Sequence, residues 1–76
     1  MFMMQYFTGD GWQFVTYSNM MPVGKTIEEL KDTLHDRGWT FPNNSSFVAI
    51  DHDQQFQIKF VPIVAPRREF CKKLPG

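Results

Sequence analysis

One stretch of the chain, TIEELKDTLHDRG from Thr26 to Gly38, carries the sequence signals for the start, the buried face and the end of a helix. Thr26 and Glu29 have the spacing of a capping box, in which a hydroxyl and a carboxylate accept hydrogen bonds from free backbone N–H groups of the first turn. Gly38 can adopt the left-handed conformation that ends a helix. The apolar residues Ile27, Leu30 and Leu34 lie between them at helical spacing. The rest of the chain must therefore fold around one short helix with one narrow apolar face.

The segments before and after this helix have the pattern of β-hairpins. Residues 2–7 and 12–18 are rich in aromatic and β-branched side chains, and a turn with two glycines separates them. Residues 47–50 and 56–61 form a second pair around the five residues Asp51 to Gln55. The predicted order of elements is therefore ββαββ.

This order predicts an α+β fold, a small single domain with a mainly antiparallel four-stranded sheet and one helix packed on one face. In the last strand, Gln57 and Lys59 alternate with apolar residues and should point away from the core. The helix should bury its apolar face against Phe56, Ile58 and Phe60.

Charge divides the chain into two parts. Residues 1–64 contain seven acidic and four basic side chains, whereas residues 65–76 contain four basic and one acidic side chain. We therefore expect an acidic α+β domain over residues 1–64 and a basic C-terminal tail over residues 65–76. The single cysteine cannot form an internal disulfide, and the first residues lack the basic and apolar regions of a signal peptide. These features predict a cytoplasmic protein without a membrane segment.

The outline of hairpin, capped helix and hairpin is similar to the first part of the β-grasp fold of ubiquitin-like and sulfur-carrier proteins. The likeness covers about two thirds of the chain, including the GKTIEEL segment from Gly24 to Leu30. Carriers of that group end in two glycines, whereas this sequence ends Leu74-Pro75-Gly76. A proline before the last glycine stiffens the segment, which argues against a carrier function.

Seven residues are candidates for contact with a partner. Three carboxylates at i, i+4 and i+8 form an acidic stripe on the helix, and like charges at this spacing destabilise a helix by about 0.2–0.5 kcal/mol per pair. A sequence selected for helix stability alone would avoid this cost. The stripe could meet a basic partner or the chain's own basic tail, or it could be a solvated face on which nearby basic residues dilute the repulsion. Tryptophan and arginine are frequent at the centres of interfaces. The predicted contacts are Glu28, Asp32, Asp36, Trp12, Trp39, Arg67 and Arg68.

The sequence offers little for catalysis, cofactors or metals. Asp51, His52 and Asp53 have metal-binding side chains, but adjacent residues of a strand point to opposite faces, and a hairpin loop favours aspartate for local hydrogen bonds. Nothing in the sequence brings His35 and Cys71 together as a base and a nucleophile. Glycine-rich phosphate loops and common catalytic motifs are absent from the sequence. We expect a protein that is not an enzyme and has no cofactor or metal ion.

Two functional hypotheses follow. The first is a protein-protein interaction module, a small inhibitor or adaptor that binds a host or cognate protein through the acidic stripe and an open sheet face, which could also form a homodimer. Small size and segregated charge are typical of host-interaction proteins of bacteriophages and mobile elements. The alternative is a nucleic-acid-associated regulator whose basic tail contacts phosphates. The acidic domain makes nucleic acid the weaker expectation.

Overall fold

The computed structural model describes residues 1–18 and 20–63. The basic tail predicted over residues 65–76 lies outside the described residues. Four strands, one α-helix and one short 3-10 helix are present in the described part, in the order β1, β2, α1, 3-10 helix, β3, β4. Their bounds are Phe2–Thr8 for β1, Gly11–Phe14 for β2, Ile27–His35 for α1, Pro42–Asn44 for the 3-10 helix, Val48–Asp51 for β3 and Gln54–Pro62 for β4.

The four strands form one antiparallel sheet in the order β2-β1-β4-β3, with α1 packed on one face. The long strands β1 and β4 are the central pair, and each is joined to its outer neighbour by a hairpin. The α+β class, the ββαββ order and the single helix on one sheet face are confirmed.

The helix begins and ends through the residues that the sequence indicates. The Thr26 side chain accepts a hydrogen bond from the Glu29 N–H at 3.0 Å. The Glu29 carboxylate accepts from the Lys25 N–H at 2.6 Å, one residue before the partner expected in a capping box. At the other end, the N–H groups of Gly38 and Trp39 donate to the carbonyls of His35 and Leu34. This is a Schellman pattern, and Gly38 has the positive φ of 106° that it requires.

The core lies between α1 and one face of the sheet. Leu30 and Leu34 are fully buried, and Ile27 is half-buried. Leu30 and Leu34 belong to one hydrophobic cluster with residues of the sheet. The residues that β1 and β4 contribute share one face, because opposed residues of antiparallel strands point to the same side. The sheet side of the core contains Met4, Tyr6, Ala49, Phe56, Ile58 and Phe60. Gln57 and Lys59 are exposed, in agreement with the alternation in the sequence.

The hairpins differ in detail from their predicted bounds. The second hairpin has a two-residue turn at His52 and Asp53 in place of five residues, because both adopt positive φ, 52° and 63°. Two positive φ values define the type I′ turn, whose twist matches that of the flanking strands. The second strand of the first hairpin ends at Phe14, four residues before its predicted end.

Lys31 is the one buried charged residue of the described part, with 5% of its surface exposed. Its ammonium group donates to the backbone carbonyl of Asn44 at 2.8 Å and to the Asn44 side-chain oxygen at 3.0 Å. It also lies 5.5 Å from the ring centre of Phe41 and 5.9 Å from that of Phe60. Lys31 therefore links α1 to the 3-10 helix.

We expect Lys31→Met to lower the free energy of unfolding by about 1–2 kcal/mol, because two oxygens of Asn44 lose their donor while the side-chain volume is kept. Urea unfolding measures this change. Lys25→Met is the matched control, and its effect should stay within about 0.5 kcal/mol because Lys25 is exposed. Equal losses for the two variants would mean that the Lys31 ammonium does not stabilise the fold.

Candidate functional site

The face of the sheet turned away from α1 is left uncovered by the described residues, and we call it the open face. Strand pairing defines its membership, because opposed residues of antiparallel strands point to the same side. Its residues are Met3, Gln5, Phe7, Trp12, Phe14, Val48, Ile50, Gln55, Gln57, Lys59 and Val61. Apolar side chains thus make up most of a surface that contacts solvent.

Three aromatic residues of β1 and β2, Phe7, Trp12 and Phe14, form an aromatic patch at one edge of the open face. Phe7 and Phe14 are 46% and 38% exposed. The rings of Phe7 and Trp12 meet edge to face, with centroids 5.3 Å apart. A contiguous exposed patch of this kind marks an interaction surface more often than single exposed apolar residues do.

A lysine completes the aromatic patch. The Lys59 ammonium group lies 4.4 Å from the ring centre of Trp12, within the range of a cation–π interaction. Lys59 is opposite Gln5, which is itself opposite Phe14, so the charge lies in the same row of the sheet as an exposed phenyl ring. Lys59 is the only charged side chain among the open-face residues defined above. The patch therefore combines exposed rings with one positive charge.

The acidic stripe lies on the other layer of the domain. Glu28, Asp32 and Asp36 are all exposed. Glu28 accepts a hydrogen bond from the side-chain amide of Asn44 at 3.2 Å. Since α1 covers the core face of the sheet, the helix and the sheet separate the stripe from the open face. A single flat partner surface therefore cannot contact both.

Trp39 occupies a different environment from Trp12. It is 2% exposed, and its indole N–H donates to the Tyr17 hydroxyl at 2.7 Å. Burial and the negative charge of Asp51 raise the pKa of Tyr17, against the lowering effect of the Trp39 hydrogen bond. The sequence predicts Trp39 as a partner contact. The structure places Trp39 in the core, so this prediction is wrong, and Trp12 is the tryptophan that lies on the open face.

The other candidate residues are scattered. His52 is exposed in the β3–β4 turn, and its ring is 4.0 Å from the Asp51 carboxylate. Within residues 1–18 and 20–63, no three His, Cys, Asp or Glu side chains lie close enough together to hold a metal ion. His35 is exposed at the end of α1. Arg67, Arg68 and Cys71 lie outside the described residues.

Phe7 and Phe14 are not among the partner contacts predicted from the sequence. The signal was present for Phe14, because Phe14 and Val15 are consecutive apolar residues in an extended segment and must point to opposite sides. Val15 is 4% exposed and its N–H donates to the Met4 carbonyl, so it belongs to the core face. Phe14 then belongs to the open face. The signal for Phe7 is its pairing with Trp12, which depends on the register of the hairpin.

In the part of the chain that the structure describes, no helix has the length and apolar character needed to cross a membrane. Comparison with known proteins found no matching family model, no matching curated protein and no matching solved structure.

Proposed function

We propose that this protein is a non-enzymatic protein-binding module that docks through the open face of its sheet. The observation that carries the proposal is the aromatic patch, in which Phe7 and Phe14 keep 46% and 38% of their surface exposed beside Trp12. Exposed rings of this kind contribute strongly to binding when a partner removes them from water. Such a module would act as an inhibitor if it covers the active site or another functional surface of its partner, or as an adaptor if it binds two proteins at once.

The charge on the open face indicates what the partner surface should contain. Lys59 supplies a positive charge next to Trp12, and the open face carries no carboxylate among its defined residues. A second copy of the same face would bring another lysine and no acidic group to meet it. A different protein with an apolar surface flanked by an acidic side chain would complement both the exposed rings and the positive charge of Lys59. We therefore favour such a partner over a homodimer.

The acidic stripe is a second proposed contact, for a basic group on the partner or on another protein. Support for it is weaker because exposed charges contribute about 0–1 kcal/mol per pair. The stripe and the open face lie on opposite layers of the domain. Changes to one can therefore be made without changing the other.

We expect the double variant Phe7→Gln, Phe14→Gln to bind its partner about 1,000-fold more weakly, because each ring at the centre of an interface contributes about 2 kcal/mol and about 1.4 kcal/mol corresponds to a factor of ten. The measurement is affinity purification of the tagged protein from cells that naturally produce it, followed by titration of the captured partner. Thermal unfolding should show a smaller change than truncation of a core residue, since 46% of the surface of Phe7 and 38% of that of Phe14 are already exposed in the free protein.

Three further variants distinguish the open face from the acidic stripe as the binding surface. Lys59→Glu should weaken binding, whereas Lys25→Glu, a reversal at an exposed lysine just before α1, should not. The triple variant Glu28→Lys, Asp32→Lys, Asp36→Lys should retain the partner if the open face alone binds it. Docking through the open face would be refuted if the triple variant no longer bound the partner while the Phe7→Gln, Phe14→Gln variant bound it as tightly as the wild type. A mass twice that of the 9.0 kDa chain, abolished by the aromatic variant, would instead identify a homodimer.

A further inference from the structure

A small cavity of about 150 Å³ lies on the core side of the sheet, opposite to the open face. Its walls come from β1, β3 and β4 and from the segments that follow β2 and α1. Four aromatic residues and one carboxylate line it together with Val15 and Thr16. These five residues, which we call the aromatic cavity, are Tyr6, Tyr17, Trp39, Phe56 and Asp51.

Three of the rings are in mutual contact. The ring centroids of Tyr6 and Phe56 are 5.1 Å apart, and each is 5.8 Å from that of Trp39. Trp39 is buried and packs against the rings of Tyr6 and Phe56. Tyr6, Phe56 and Tyr17 are half-buried and keep part of their surface accessible to solvent. The faces of aromatic rings carry a negative potential that attracts cations.

The carboxylate of Asp51 lies at this cavity without a strong counter-ion among the described residues. Its side chain is 21% exposed, and its one ion-pair contact there is the His52 ring at 4.0 Å, which is 91% exposed. Arg37 lies over the Tyr17 ring at 4.8 Å and makes no ion pair with Asp51. A partly buried carboxylate is costly unless a positive charge or a hydrogen-bond donor meets it. The Asp51 carboxylate, which solvent still reaches, therefore favours a positively charged group over a neutral one at this cavity.

We propose that the aromatic cavity binds a methylated ammonium group, as found in choline-like molecules and in methylated lysine side chains. The methyl groups would contact the rings, and the positive charge would meet both the ring faces and the Asp51 carboxylate. A cavity of about 150 Å³ is large enough for a molecule the size of benzene, which is also the size range of a trimethylammonium group. Divalent metal ions require several oxygen ligands, whereas this cavity offers one carboxylate. This site does not depend on the proposed protein-binding role of the open face.

The test is titration of the full chain with choline, followed by backbone NMR shifts and calorimetry. The first comparison is the neutral analogue of choline in which carbon replaces the quaternary nitrogen, which has the same shape without the charge. We expect choline to shift the amides of the cavity residues and the analogue to bind at least tenfold more weakly. A peptide with trimethyllysine, beside the same peptide with unmodified lysine, distinguishes a protein side chain from a free small molecule as the source of the group.

Asp51→Asn removes the charge with almost no change in shape and should weaken choline binding about tenfold, which corresponds to about 1.4 kcal/mol. Asp53→Asn is the matched control, because Asp53 is an exposed carboxylate two residues away that does not line the cavity. Unfolding curves for both variants verify that each is folded. Equal binding of choline and its neutral analogue, unchanged affinity in Asp51→Asn, or no binding of choline and of both peptides would overturn the proposal.

Discussion

Gly24→Ala is expected to lower the free energy of unfolding by about 3 kcal/mol or more. A Cβ atom at position 24 would lie 2.6 Å from the backbone nitrogen of Leu30 and 2.8 Å from its Cα. Leu30 cannot move away from this Cβ, because its backbone belongs to α1 and its side chain is fully buried. Inserting a methyl group into such a contact costs about 1–3 kcal/mol and occasionally more.

Gly24 cannot move away either. Its N–H and its carbonyl both form hydrogen bonds with Phe2, at 3.1 and 2.8 Å, so the segment before the helix is fixed to the first strand. A domain of this size has a total stability of about 4–11 kcal/mol, so the variant would lose a large part of it. Thermal unfolding should show a decrease of more than 10 °C in Tm, since about 1 kcal/mol corresponds to 4–8 °C in small domains.

Gly9→Ala is the matched control for this substitution. A Cβ at position 9 meets no atom within 4 Å, and Gly9 is exposed in the β1–β2 turn. Its effect should stay within about 0.5 kcal/mol. If Gly24→Ala and Gly9→Ala were equally stable, the close approach of residue 24 to the helix backbone would be wrong.

Trp39→Ala should lower the free energy of unfolding by about 4 kcal/mol, whereas Trp12→Ala should lower it by about 1 kcal/mol. Truncating a buried tryptophan leaves a large cavity and typically costs about 3–5 kcal/mol. The loss also leaves the Tyr17 hydroxyl without its partner and removes ring contacts to Tyr6 and Phe56. Trp12 keeps part of its surface in solvent and lies on the open face.

Urea unfolding followed by far-ultraviolet circular dichroism measures both losses without relying on tryptophan fluorescence. Trp39→Phe retains one aromatic ring but removes the N–H donor and part of the indole volume, and its stability should fall between those of the wild type and Trp39→Ala. The order of the two variants should reverse in a binding assay, where Trp12→Ala weakens binding of the partner although it lowers stability by only about 1 kcal/mol. A larger stability loss for Trp12→Ala than for Trp39→Ala would contradict the core position of Trp39.

The local signals in the sequence were sufficient for the helix and for the order of elements. The cap at Thr26, the stop at Gly38 and the alternation around Gln57 and Lys59 each depend on residues within a few positions of one another. The bounds of the hairpins were less accessible, because the turn at His52 and Asp53 requires positive φ at two residues that are not glycine. Such a turn is favoured by the twist of the paired strands, which the residues alone do not display.

The sequence could not show that Trp39 is buried while Trp12 is partly exposed, nor that Lys31 is buried, because burial depends on contacts between residues distant in the chain. Trp39 is buried because its N–H meets the hydroxyl of Tyr17, 22 positions earlier in the chain. Lys31 is buried because the carbonyl and side chain of Asn44, 13 positions later, accept from its ammonium group. Helical periodicity places Lys31 beside the apolar stripe but cannot show that a loop covers it.

The most direct test of the open face as a binding surface is site-specific photo-crosslinking in cells that naturally produce the protein. A benzophenone amino acid replaces Phe14 on the open face in one sample and Asp32 on the acidic stripe in another. Both positions are exposed, so neither replacement should disturb the core. We predict that position 14 gives a covalent product with a different protein, and that adding the Phe7→Gln substitution reduces its yield. A product with a different protein from position 32 and none from position 14 would contradict docking through the open face.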